Sequence, residues 1–203
     1  MGTPSNHAAD QANQVEQARR RQLASTTSAI NGIFSSPARQ GQYSDYLGAE
    51  RRYYNDDLNR KNADATRQLK FANARSGNTG GSVAIDTGRD LGQNYNRGLL
   101  EAERLAQGGV ADLRSADDVA RLNLIASAAN GLDATTGATQ AAESARNNLS
   151  RARADINPNG VGEIFASFAD LFKRNQAAAE QRRGEKDLYG LLYGNGQQYK
   201  GGF

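Results

Sequence analysis

Three stretches of the chain carry side chains spaced as chemistry would need them. Asp155-Ile-Asn157-Pro-Asn159-Gly160 repeats the first half of a calcium loop, with oxygens at alternate positions, a glycine for the sharp turn and Glu163 at the ninth position. The twelfth position, which should supply the bidentate Glu, is Ala166. The segment therefore reads as an Asn/Pro/Gly turn between two helices. Gly77-Asn-Thr-Gly80-Gly81-Ser82 has the glycines of a phosphate loop, but position 81 is Gly where a Lys must reach the phosphates, and no strand pattern precedes it. A corner between helices accounts for it better. Glu101 and Glu103 are the nearest approach to the paired carboxylates of glycosidic-bond cleavage. A general acid needs an apolar surrounding to raise its pKa, and these two fall in a highly charged, Ala-rich helix, as expected of a solvated face.

Composition removes further chemistries. There is no Cys, hence no thiolate nucleophile, disulfide framework or Cys-ligated metal. The one imidazole, His7, lies in a polar stretch, so neither a Ser-His-Asp triad nor a multi-histidine metal site can be assembled. No catalytic residue, metal or cofactor is expected. The net charge of +3 is spread evenly, at +1 in each of residues 1–60, 61–130 and 131–203. Proteins that read nucleic acid concentrate Lys and Arg on one face or segment. The densest cluster, Arg19-Arg20-Arg21, fits a solvated helix face, and no sequence-specific nucleic-acid partner is expected.

The elements that position these residues are thin. Leu, Ile, Val and Phe together number 34 of 203 residues, while Ala alone supplies 33. Ala forms helices readily and buries little area. The spacing of apolar residues predicts helices over about 8–34, 43–74, 83–107, 110–130, 132–156 and 161–183, then a Gly- and Tyr-rich tail over 184–203. Ser35-Ser36-Pro37 closes the first helix. The second carries a stripe of Leu47, Tyr54, Leu58, Ala65, Leu69 and Ala72, with Arg51 and Lys61 at heptad positions that weaken a strict coiled coil. Gly77, Gly80 and Gly81 supply positive-φ freedom at the corner, and Ser82 can cap the helix that follows. Strand signals are essentially missing. The fold class is all-α: long Ala-rich helices joined by Gly-rich corners, an extended or thin bundle completed by oligomerisation.

No apolar run approaches the roughly 20 residues of a membrane span. The opening residues lack a hydrophobic signal region, and Asn6 stands where a myristoylation pattern wants Ser or Thr, so a soluble cytosolic product is expected. The most amphipathic stretch places Ile164, Phe165, Phe168, Leu171 and Phe172 on one face. With three of the six Phe gathered there and few large apolar residues elsewhere, this face is expected to be an interface.

The segment Phe71-Ala-Asn-Ala-Arg-Ser-Gly77-Asn-Thr-Gly80-Gly81-Ser82, in this Ala-, Gln-, Asn- and Arg-rich setting, resembles the small internal virion, or DNA-ejection, proteins of short-tailed bacteriophages. Those proteins carry an A-R-x-G-x-x-G-S corner between long helices. The resemblance covers about a dozen residues and no catalytic position. It implies a non-enzymatic protein held in the virion, inside the capsid near the portal, and expelled ahead of the genome. It would then act as a homo-oligomer with other virion or ejection proteins, associate with a host membrane after ejection, and form part of a DNA conduit across the host envelope. The alternatives are a tail-lumen or head–tail adaptor that stays in the virion and, less favoured, a peptidoglycan-degrading enzyme.

Overall fold

A computed structural model describes residues 6–77 and 79–156, with side chains from residue 8. Four helices account for its regular structure: α1 (Asn6–Phe34), α2 (Pro37–Ser76), α3 (Ser82–Ala129) and α4 (Ala134–Ala154). The chain is all-α, as its composition requires. The helix expected over 161–183 and the tail over 184–203 lie outside the described residues.

Each boundary has a local cause. Ser36 caps α2 by accepting the Arg39 N–H at 3.1 Å, and Pro37 takes the first helical position, where its missing N–H costs nothing. The second helix thus starts six residues before the expected Tyr43. Asp133 caps α4, accepting the N–H groups of Thr135 and Thr136 at 2.9 Å each and the Thr136 hydroxyl at 2.7 Å. The Thr136 bonds, with backbone N–H donation, hold the Asp133 carboxyl below its ordinary pKa. Gly131, at φ 104°, makes the turn before it.

The helices expected over 83–107 and 110–130 are one. Gly108-Gly109 does not break α3, because the two glycines occur inside a long helix whose packing needs one of them. A Cβ on Gly109 would stand 2.7 Å from the Glu50 carboxyl, so the missing side chain is the space that Glu50 occupies. Gly108 has nothing within 4 Å of that position.

The described residues form two units. The first, residues 6–53 and 103–156, combines α1 and α4 with parts of α2 and α3. Ile30 and Phe34 of α1 meet Ala128 of α3 and Ala141 and Ala145 of α4. Further along, Tyr43 and Tyr46 of α2 meet Val110 and Leu113 of α3 and Leu149 of α4. Gly137 lets α4 close onto Thr26 and Ile30, which lie 3.0 and 3.3 Å from the position its Cβ would take. The described part of the second unit, Tyr54–Ala102, is a two-helix hairpin whose seam holds Ala65, Leu69 and Leu91. There Leu58, fully buried, fills the place of a Cβ on Gly98.

The α2 seam passes through Tyr43, Tyr46, Glu50, Tyr54 and Leu58, and Leu47 is half-buried beside it. Arg51 and Lys61, expected as seam defects, instead turn outward to Glu103 and Asp57. In α3, Leu99 lies at the edge of exposure and Leu122 is exposed, whereas Gly98 and Ala102 are buried.

The glycine pair gives a sharp comparison. Gly108→Ala should raise stability by about 1 kcal/mol through helix propensity. Gly109→Ala, which drives a methyl into the buried Glu50 carboxyl, should lower it by about 1–3 kcal/mol. Urea unfolding of the two variants measures both.

Candidate functional site

The geometry of the hairpin corner is simple. Ser76 ends α2, and Gly77 follows at φ 69°, a left-handed conformation that glycine adopts without a Cβ clash. Its N–H reaches the Ala74 carbonyl at 3.3 Å. Of the three glycines, Gly77 alone has a positive φ; Gly80 and Gly81 do not, and both have open space where a Cβ would sit. The Gly81 carbonyl accepts the N–H groups of Ala84 at 3.0 Å and Ile85 at 3.3 Å. Gly81 is therefore the capping residue, and Ser82, expected in that role, is the first residue of α3.

The flanks of this hairpin are apolar and exposed. Phe71 is 67% exposed, Ile85 63% and Leu100 74%, with Val83 and Leu99 also open. Among the described residues this unit has two helices sharing one seam, so side chains pointing away from it meet no third described helix there. Ile164, Phe165, Phe168, Leu171 and Phe172, expected as an interface, lie outside the described residues, as do Asn157 and Asn159 of the half calcium loop. Asp155 is exposed at the C-cap of α4. Among the described residues no cluster of three His, Asp or Glu could hold a metal ion.

A second concentration of chemistry lies in the first unit. The Arg39 guanidinium grips Asp117 with two bonds, Nε to Oδ2 at 2.6 Å and Nη2 to Oδ1 at 2.8 Å, and both side chains are 3% exposed. The remaining Arg39 arm donates to Gln42 at 2.7 Å. Asp117 also accepts from the Tyr43 hydroxyl and from Asn148 of α4 at 2.9 Å. Burial alone would lower the Arg39 pKa, but the bonds and charge of Asp117 outweigh it and raise it. Burial, then the adjacent Asp117 carboxylate, push the Tyr43 hydroxyl above its ordinary value. The guanidinium groups of Arg39 and Arg114 lie 5.0 and 5.1 Å from the Tyr43 ring centre, within cation–π range.

Beside this cluster opens a cavity of about 350 Å³, bordered by Phe34, Gln40, Tyr43, Arg114, Asp117 and Arg121. Its charged groups are engaged: Asp117 as above, and Arg121 with Asp118 at 3.2 Å and Asn31 at 3.3 Å. The cluster fixes helix positions; Asp117 is too fully bonded to serve as a base.

Of the two carboxylates considered for hydrolysis, Glu103 is held in an ion pair. Glu103 accepts two bonds from Arg51 and one from Gln107 at 2.6 Å. The Arg51 bond, then Gln107, hold its pKa below the ordinary value, opposite to what a general acid requires. Arg39, Asp117 and Tyr43 were not evident as a site from the sequence. The available signal was a charged residue one turn after Leu113, on the face that carries Val110 and Leu113.

Asp117→Ala leaves a buried guanidinium without its counter-ion and should cost about 3–5 kcal/mol, read as a lowered urea midpoint. At the corner, Gly77→Ala forces a side chain into left-handed backbone and should cost about 1–2 kcal/mol. Gly80→Ala, with negative φ and open space, should leave the midpoint near that of the parent.

No protein-family model matches this chain, and no curated protein or solved structure matches it either.

Proposed function

We propose that this chain is a non-enzymatic structural protein of a phage particle, of the ejection type, which works as a homo-oligomer alongside other virion proteins and forms part of a conduit for DNA across the host envelope. The observation that carries this reading is the two-helix unit. Its inner seam is made of Ala65, Leu69 and Leu91, while Phe71, Ile85 and Leu100 lie open to solvent. Large apolar residues are scarce in this sequence, and three of them stand outside the seam that the two described helices share. A neighbouring copy or partner would supply the missing layer. The resemblance of the Phe71–Ser82 corner to ejection proteins supplies the biological setting.

Among the described residues no helix is long and apolar enough to cross a membrane. Contact with a host membrane would then follow assembly, through faces that oligomerisation arranges side by side. Even charge along the sequence suits a protein that shares a capsid with packaged DNA without binding it tightly.

Two measurements test the proposal. The purified full chain, weighed by light scattering with and without detergent or lipid, should form a defined multimer, and Ile85→Ser with Leu100→Ser should reduce it to monomer with helical content retained. Particles emptied of DNA should have lost the protein. Retention in emptied particles would favour a resident tail-lumen or head–tail adaptor, and a strictly monomeric chain under all conditions would overturn assembly altogether.

A further inference from the structure

Glu50 is the one buried acid in the first unit that lacks a cation. It is 2% exposed on α2, and its Oε2 has no hydrogen-bond partner. Its other oxygen meets the Tyr46 hydroxyl one turn earlier. That hydroxyl also lies 2.9 Å from the carbonyl oxygen of Ala152, in the last turn of α4. A tyrosine has one hydroxyl proton, and here it faces two acceptors. A peptide carbonyl can only accept, whereas a carboxyl group can also donate when it carries its proton. Both contacts are satisfied together only if Tyr46 donates to Ala152 and Glu50 donates to Tyr46.

The surroundings agree with that assignment. On α3, Gly109 offers backbone and no side chain to Glu50, and Asp112 is a charge of the same sign. On α2, the neighbouring cation Arg51 is committed to Glu103, and Arg52 is exposed. On α4, Arg151 and Arg153, which flank Ala152 in sequence, are exposed. Desolvation first, then Asp112, raise the Glu50 pKa against the lowering effect of the Tyr46 bond.

We propose that Glu50 is a neutral carboxylic acid and, through Tyr46, a proton-dependent latch on the C-terminal turn of α4. When Glu50 carries its proton, the relay from Glu50 to Tyr46 to the Ala152 carbonyl is complete. When Glu50 ionises, the Tyr46 proton turns to the carboxylate, the Ala152 carbonyl loses its donor, and a bare charge is left against Gly109. The last turn of α4, from which residues 157–203 continue, is then released from α2.

The direction of the pH effect follows from the raised pKa. The folded chain holds this proton more tightly than the unfolded chain, whose Glu titrates near 4.5. The stabilisation is full below that value and is lost as pH rises from there through the folded pKa.

Hydrogen exchange of the full-length chain between pH 4.5 and 8, corrected for intrinsic rates, tests the latch. Amides at 149–155 should lose about tenfold or more of their protection as pH rises. Amides at 137–145, at the other end of α4, should stay constant. Glu50→Gln, which donates at any pH, should hold 149–155 at the low-pH protection throughout. Tyr46→Phe should leave them weakly protected at every pH. Asp112→Asn, at an exposed position, should move the midpoint to lower pH, an effect that a merely space-filling Glu50 would not produce. Protection at 149–155 that is flat with pH in the parent, or unchanged pH dependence in Glu50→Gln, would overturn the proposal.

Discussion

Close approach of helix backbones is the constraint on which the rest of the structure depends. With 34 large aliphatic and Phe residues in 203, these helices cannot be held apart by a thick apolar filling. They are held by bringing main chains together, so that alanine methyls, isolated leucines and the backbone itself supply the contacts. Gly98, Gly109 and Gly137 make this concrete. Each is a socket in one helix for a side chain of another: Leu58, Glu50, and the pair Thr26 and Ile30. The same physics explains why α3 runs unbroken through two adjacent glycines. Helix propensity lost at Gly109 is offset by a contact that no residue with a Cβ could make.

A seam built on small residues has a weakness, since alanine faces fit one another in several sliding positions. The buried polar groups remove that freedom. Arg39 and Asp117 form a two-pronged bond that closes at one register only, and Asn148 brings α4 into the same agreement. Thr26 adds a link at the far end of the bundle, its one hydroxyl proton shared between the Gln22 and Leu132 carbonyls at 2.9 and 3.2 Å. Tertiary specificity in the first unit thus rests on polar geometry, while apolar contact supplies cohesion.

How legible this was in the sequence depended on the range of the physics involved. Local signals were readable: Pro37, Gly77 and the Asn130-Gly131 pair mark real helix ends, because caps and turns are decided within a few residues. The all-α class followed from alanine content and missing strand patterns. Glycine was the ambiguous letter. Gly108-Gly109 carries the same local signal as a break, and only Glu50, almost sixty residues away, makes Gly109 a packing site. The α2 seam was read correctly at Tyr54, Leu58, Ala65 and Leu69, but its polar and aromatic members were missed for a related reason. A stripe counted on Leu and Val misses Tyr43, Tyr46, Glu50 and Asp117, whose burial depends on partners in other helices. The candidate interface at Ile164–Phe172 falls outside the described residues, so the sequence remains its sole support.

The N-terminal half of α1 stands apart from this economy. Residues 8–22 are exposed except for a half-covered Glu16, which holds Arg19 and Arg20 at 3.1 and 2.8 Å, and Val15 is open to solvent. Helical form there is sustained by local propensity and neighbouring ion pairs alone. Mutational drift should therefore be fastest in this segment, filtered for residues that keep a helix wound but indifferent to their shape, whereas Gly109 and Asp117 have few permissible neighbours in sequence space.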